Sequence, residues 1–431
     1  MWSEAERQSR DARAAVQLTR LRDTVARAAA RVPFYAGLAD AHVRSLDDLA
    51  MLPFTRKTDL RAHYPFGLFA VERRELARIH ASSGTKGKPT VVGYTLGDLE
   101  VWREVMARAM VAAGARRGDL LHLAFGYGLF TGGLGFHDGA ERIGMTVVPA
   151  SSGNTARHQL LMTDFRPTGI AATPSFALHI AETMREQGSA PETLGIRYGM
   201  FGAEPWTEGM RAALERAWGC PAYDIYGLSE IIGPGVAGEC ERRAGLHIAD
   251  DHFLPEVVDP SSGTPLPPGQ EGELVLTTLT KRAMPMIRYR TGDITTLSLE
   301  PCPCGRTSAR MARVKGRADD MLVVKGVNVY PSEVEATLLA VGDLEPHYQL
   351  VVDRSGTLAR LEVQVEPAPA LIERCGGFDP SHPMVVALRA DIGARLRAAL
   401  GLSVEAAIVA PRTLPRSEGK AVRVVERGGG G

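Results

Sequence analysis

Residues 316–331 read Gly-Arg-Ala-Asp-Asp-Met-Leu-Val-Val-Lys-Gly-Val-Asn-Val-Tyr-Pro, and the chain changes texture on either side of them. Upstream, from about Arg78 to Asp319, short apolar runs alternate with longer amphipathic ones. Leu-Leu-His-Leu-Ala-Phe (120–125), Met-Thr-Val-Val-Pro-Ala (145–150) and Gly-Ile-Ala-Ala-Thr-Pro (169–174) read as buried strands, and residues 96–113 and 176–187 as helices between them. This alternation predicts an α/β domain. Residues 253–297 carry Phe-Leu-Pro-Glu-Val-Val, Gly-Glu-Leu-Val-Leu-Thr-Thr-Leu and Asp-Ile-Thr-Thr-Leu between turn residues, which predicts a β-rich subdomain with hairpins. Downstream the pattern is compact α+β: a helix from Ser332, strands at 347–353 and 360–366, a helix from about 384 and a final strand at 405–410. The expectation is a large N-terminal domain, 1–319, and a small C-terminal domain, 320–431, with the boundary at Asp319. Residues 1–50 read as helical, with Leu18, Leu21 and Val25 at helical spacing and Pro33 closing the run. The terminal Gly-Gly-Gly-Gly reads as a disordered tail.

A chain of 431 residues exceeds the roughly 250–300 at which one hydrophobic core stops growing. Lys plus Arg balance Asp plus Glu at 50 each, so charge supplies no reason to expect nucleic acid or an anionic membrane as partner. The charged N-terminus has no apolar secretory core, and nothing approaches the about 18 apolar residues that span a bilayer. Five cysteines in so long a chain make no disulfide framework, and a cytoplasmic protein with reduced thiols is expected.

Residues 81–89, Ala-Ser-Ser-Gly-Thr-Lys-Gly-Lys-Pro, suit a triphosphate. Gly84 and Gly87 let the backbone turn its N–H groups toward an anion. Ser82, Ser83 and Thr85 add hydroxyls, and Lys86 and Lys88 add charge. The spacing differs from GxxxxGK[ST], which disfavours a Walker-type nucleotidase.

Four further segments follow in order: Tyr226-Gly-Leu-Ser-Glu230, Tyr289-Arg-Thr-Gly-Asp293, the 316–331 stretch, and Pro415-Arg-Ser-Glu-Gly-Lys420. With the loop at 82–88 they resemble the core motifs of the adenylate-forming superfamily. Phe125-Gly-Tyr-Gly-Leu-Phe-Thr-Gly-Gly-Leu-Gly-Phe-His137, Phe201-Gly-Ala-Glu-Pro-Trp206 and Pro301-Cys-Pro-Cys-Gly-Arg306 resemble its phenylacetate–CoA ligase branch. Lys86 stands where this branch usually has a second Thr, and Tyr330 where Phe is common.

The resemblance implies two half-reactions using ATP, Mg²⁺ and coenzyme A: a carboxylate is adenylated with release of pyrophosphate, then the CoA thiol displaces AMP. It implies that Lys420 bridges carboxylate and α-phosphate, that Glu230 holds Mg²⁺, and that Tyr226 and Gly227 lie near the adenine. Gly202, Ala203, Glu204 and Pro205 would form the opposite wall, Asp293 would accept from the ribose hydroxyls, and Arg317 would reach ribose or phosphate. Asp319 would be the hinge, and Lys325 and Gly326 the CoA channel. Tyr127, Phe130, Gly133, Phe136 and His137 would line or approach the acid pocket, whose aromatic, glycine-rich character suits a flat ring. His137 has the alternative reading of a structural hydrogen-bonding residue.

Phenylacetate is the expected acid, with hydroxybenzoate, salicylate, anthranilate and hydroxyanthranilate as competitors. The same first step would serve a ligase that passes the acyl group to a carrier-protein thiol, an amine or a hydroxyl. A non-catalytic nucleotide-binding protein is disfavoured by Lys420, Glu230 and Asp293 together. A homodimer is common in this branch. Finally, Cys302-Pro-Cys304 with Cys240 and His247 makes a soft donor set suited to structural tetrahedral zinc, while Cys220 and Cys375 read as buried or free thiols.

Overall fold

A computed structural model of the chain describes residues 1–82, 89–317, 321–324, 327–353 and 360–427. Ser83 to Lys88, Asp319, Lys325, Gly326 and the glycine tail lie outside the described residues.

The large domain is organised on a 12-stranded sheet. Five parallel strands run side by side in the spatial order Thr146–Val148, Leu120–Leu123, Gly169–Ala172, Tyr198–Gly202 and Ala222–Leu228. Gly169–Ala172 and Tyr198–Gly202 are buried along their whole length, as expected of parallel strands covered on both faces. The helices Gly132–Ile143, Pro174–Glu186 and Glu208–Trp218 connect or flank them, and the side chains of Thr173 and Thr207 cap the last two. The chain reverses its strand order at Leu120–Leu123, so the loops at the carboxyl ends of these strands open a crevice there.

The β-rich stretch, expected as a subdomain with hairpins, pairs antiparallel and continues this same sheet. Phe253–Val258, Glu271–Thr278 and Tyr289–Ser298 pair antiparallel in that order. They continue through Arg310–Met311, Leu246–Ile248 and Gly233–Glu239 to the parallel block. The short strands Arg310–Met311 and Leu246–Ile248 make that join, and two or three residues are too few to show a strand pattern in sequence.

The N-terminal 50 residues form one long helix, Arg10–Arg31, and then break into 3₁₀ turns at Pro33–Leu38 and Leu46–Met51. The small domain packs a four-stranded sheet, ordered Glu405–Ile408, Arg360–Pro367, Leu344–Asp353, Val424–Arg427, against the helices Pro331–Leu339 and Pro383–Leu400. Glu405–Ile408 is therefore not the last strand: Val424–Arg427 adds a parallel edge beside Leu344–Asp353. Its four residues, two half-buried and two exposed, carry no alternation to announce it. No helix among the described residues is long and apolar enough to cross a membrane.

Two buried histidines join strand Leu120–Leu123 to the helix Thr155–Phe165. His122 Nε2 lies 2.7 Å from His158 Nδ1, and His158 Nε2 lies 3.0 Å from the Gly153 carbonyl. His158 thus donates to Gly153 and accepts from His122, with both rings neutral. Burial and the neighbouring ring lower His122 to about 3, and burial lowers His158 to about 4. The unfolded chain protonates both below about 6.5, so it binds more protons there and stability falls as pH drops from about 6.5 toward 3–4. The slope is up to about 1.4 kcal/mol per pH unit for each proton. Melting curves of wild type and His122→Gln should diverge over this window, the variant losing stability less steeply. The comparison isolates the imidazole, because the buried Asp224 and Asp250, both raised to about 6 by burial, titrate in both proteins.

Candidate active site

The expected site segments converge at the carboxyl ends of the parallel strands. The hairpin Arg78–Ala81/Val91–Tyr94 carries the 82–88 loop, and its stems are closed by Ser82 N donating to Thr90 O at 2.9 Å. Of that loop only Ser82 is described. Gly202 to Pro205 leave strand Tyr198–Gly202 in a turn where Ala203 holds φ +69°, a left-handed conformation unusual for a residue with a side chain. Tyr226 to Glu230 end strand Ala222–Leu228, with a register break between Tyr226 and Gly227. A Cβ at Gly227 would sit 1.9 Å from the Gly233 carbonyl, so only glycine fits this crossing.

Three expected nucleotide residues meet around Asp293. Tyr226 Oη donates to Asp293 Oδ2 at 2.5 Å, and Arg317 Nη1 donates to Oδ1 at 3.1 Å. Strand register supplies the second contact, because Asp293 lies directly opposite Arg317. Tyr226 is held by its hydroxyl, not only by its ring.

Glu230 is buried, and its backbone is held from beneath by a lysine that sequence reading passed over. Lys281, 1% exposed, donates from Nζ to Glu230 O at 3.1 Å and stands 4.8 Å from the centre of the Tyr94 ring. Burial lowers its pKa to about 8 against the pull of Asp98 and Glu230. Tyr94 Oη donates to the Ile232 carbonyl at 3.0 Å, and Thr131 Oγ1 and Ser229 Oγ lie 3.0 Å apart. A buried ammonium with few partners is costly, so it signals a turn whose position matters.

Lys420 reaches this crevice from the small domain. Thr173 Oγ1 donates to Gly419 O at 2.7 Å, and Glu204 Oε2 accepts from Ala421 N at 2.8 Å. The other Glu204 oxygen accepts from Ser175 N at 2.8 Å. The backbone on both sides of Lys420 is therefore pinned to the large domain. Its Nζ lies 5.4 Å from the centre of the Phe130 ring. Lys420 retains solvent access, yet the atoms crowded round it lower its pKa, with Glu204 opposing. Glu204 thus ties the lysine loop, which a wall residue would not require. Thr173 and Ser175 were also missed; the Thr-Pro-Ser helix start was visible in sequence, but its second duty was not.

The residues expected near the acid pocket divide. Phe136 is 1% exposed and stacks on Phe125 inside the core, and a Cβ at Gly133 would sit 2.6 Å from Gly126 O. These two serve packing. Tyr127 and Phe130 remain partly exposed in the loop after Leu120–Leu123. Tyr127 Oη lies 2.9 Å from His137 Nδ1, and His137 Nε2 lies 3.2 Å from Glu141 Oε1. His137 thus orients Tyr127, in keeping with its hydrogen-bonding reading.

Away from this crevice, Cys240, His247, Cys302 and Cys304 bring their ligand atoms within 4.8 Å of one another. Cys240 Sγ is 3.8 Å from Cys302 Sγ, far beyond a disulfide bond, and Cys304 Sγ is 3.5 Å from His247 Nε2. Strand register does the assembling, since His247 pairs with Gly238 on one side and Arg310 on the other. His247 Nδ1 faces Ser308 Oγ at 3.3 Å, which leaves Nε2 toward the sulfurs. Burial lowers His247 to about 3, keeping a neutral ring with a free lone pair. Two zinc-bound sulfurs at tetrahedral angles lie about 3.8 Å apart, so the donor set fits that ion. Cys220 is buried and Cys375 half-buried, both free.

Residues 3–280 match the family model described as AMP-binding enzyme, and residues 326–427 match the AMP-binding enzyme C-terminal domain. The chain is 53% identical to a phenylacetate–coenzyme A ligase of Thermus thermophilus, over 98% of both chains. Among solved structures it resembles 2-hydroxyisobutyryl-CoA ligase in the postadenylation state, with TM-score 0.91 and 30% identity over 98% of this chain and 91% of that one. Against that ligase in the thioesterification state, at 31% identity and the same coverage, the TM-score is 0.71.

Proposed function

We propose, from the premise that this chain belongs to the AMP-binding enzyme family in its phenylacetate–coenzyme A ligase branch, that it converts phenylacetate or a close aryl acid to its CoA thioester. In the first step a carboxylate oxygen bonds to the α-phosphorus of ATP and pyrophosphate leaves. In the second the CoA sulfur bonds to the acyl carbon, its proton is lost, and AMP departs with the electrons of the acyl–oxygen bond. The mixed anhydride gives the acyl carbon the leaving group that a carboxylate lacks.

The observation that carries this reading is the pinning of Lys420 between Thr173 and Glu204 at the mouth of the crevice. Two anions must meet in the first step, and a cation fixed there stabilises the charge they share. Asp293, positioned by Tyr226 and Arg317, would accept from the ribose hydroxyls. The buried carboxylate of Glu230 suits Mg²⁺, which would neutralise phosphate charge when bound. Ser82 and the 83–88 loop would cradle the phosphates, Asp319 would be the hinge, and Lys325 with Gly326 the path for CoA. Cys240, His247, Cys302 and Cys304 would hold a structural zinc. The free thiols support a reducing, cytoplasmic compartment, and a homodimer is proposed by analogy with the branch.

The deciding experiment is a pyrophosphate-release screen over aryl acids with and without CoA. Phenylacetate should give the largest release, with CoA converting it to thioester in equal amount. Release with no thioester would redirect the acyl group to another acceptor, and no release with any aryl acid would end the proposal. Within the site, Asp293→Asn should raise the KM for ATP about tenfold by removing a charge-assisted acceptor, with the KM for the acid little changed. Steady-state kinetics with each substrate varied in turn checks this.

A further inference from the structure

The small domain is also fastened to the large one further along the helix that begins after Thr173. Glu182, on the Pro174–Glu186 helix, faces a histidine and two arginines of the small domain. Its Oε1 pairs with Nε2 of His347, on the Leu344–Asp353 strand. Its Oε2 accepts from Arg416 Nε at 3.2 Å and lies 3.9 Å from Arg412 Nη1. Arg412 also pairs with Glu186, one turn further along the same helix. The contact is sheltered: the side chains of His347, Arg416 and Glu182 are 8%, 12% and 20% exposed. Burial pushes the Glu182 carboxyl up, but His347 and the two arginines outweigh it and hold it at about 2.

The partners are unequal, and the inequality has a consequence for motion. Arg416 is also forked on Glu366 of the small domain, at 2.9 and 2.8 Å, and keeps that pairing wherever the domain goes. The salt-bridge partners of Glu182 among the described residues, His347, Arg412 and Arg416, all come from the small domain. Rotation of that domain therefore costs Glu182 all of them at once. Arg412 and Arg416 also belong to the segment that ends in Lys420, so the clasp and the lysine move as one piece.

We propose that Glu182 is a positioning residue for the adenylation half-reaction: it clasps the 412–416 segment so that Lys420 is presented to the nucleotide, and must let go before thioester formation. This rests on the two-step reading above. The match to the postadenylation arrangement, at TM-score 0.91 against 0.71 for the thioesterification arrangement, agrees with a clasp that is closed in one state only.

Glu182→Gln keeps the shape and removes the charge. Adenylation, read as acid-dependent ATP–pyrophosphate exchange, should fall about tenfold or more in kcat, since losing the charge of a sheltered carboxylate that faces two arginines costs far more than losing an exposed pair. Thioester formation from supplied phenylacetyl-adenylate and CoA should be unchanged or faster. Arg412→Ala, at an exposed position, should give a smaller loss with the same split and serves as the second variant should Glu182→Gln misfold. Equal loss of both half-reactions would make Glu182 a packing residue, and unchanged adenylation would also overturn the proposal. A fluorophore pair on the exposed Leu160 and Met384 reads domain orientation without substrate. It should shift in Glu182→Gln, and an unshifted distance overturns the clasp even where the acid assay fails for reasons of substrate.

Discussion

Lys420→Ala should abolish acyl-adenylate formation while sparing thioester formation from supplied acyl-adenylate. The first half-reaction joins a carboxylate to a phosphate, two groups that repel, and the charge they share grows as the bond forms. A cation held at that place lowers the barrier, and removing one such preorganised group costs roughly 100–1,000-fold in rate. The second half-reaction starts from a neutral acyl carbon and has no such requirement. Preorganisation is visible here as two main-chain anchors, Gly419 O to Thr173 Oγ1 at 2.7 Å and Ala421 N to Glu204 Oε2 at 2.8 Å. Lys420→Arg should recover little, because the guanidinium is larger and planar while the anchors hold the backbone in place. Rapid-quench measurement of each half-reaction separates the outcomes. Equal loss in both would remove Lys420 from the adenylation step alone and with it the case for alternating domains.

The second large effect concerns stability. The protein purified without a metal-affinity tag should contain about one zinc per chain. Cys302→Ser should lose that metal and several kcal/mol of stability, since binding to a site that exists only in the folded chain is folding free energy. Its reach is long. The Cys302–Cys304 loop also carries Arg306, whose Nε donates to Glu6 Oε1 at 2.6 Å, so the cluster helps fix the N-terminus to the sheet. Catalysis should change far less, because the four ligands lie apart from Lys420, Glu230 and Asp293. Elemental analysis with thermal melts before and after chelation decides it. A metal-free protein of full stability and activity would show that the thiols and imidazole merely share a buried corner.

The adenylation fold was legible in the sequence because its signals are local. Buried parallel strands read as continuous apolar runs, two of their helices start at Thr caps, and the motif residues keep their order whatever the folded shape. The Cys-x-Cys loop with Cys240 and His247 was legible for the same reason, as donor types a metal would need. What the tertiary structure decided are contacts between residues far apart in the chain. Thr173 meets Gly419 across 246 positions, and Glu204 proves to be a tether of the lysine loop. Phe136, aromatic and within a motif, turned inward to stack on Phe125, because a helix of which one face is core hides whichever ring falls on that face. Lys281 left no mark in sequence, since a lysine reads as solvent-facing until the turn it supports is in place. The edge strand Val424–Arg427 and the Glu182 clasp share one cause. Neither has a pattern of its own, and each exists only because another surface, already folded, supplies its hydrogen-bonding or charged partner.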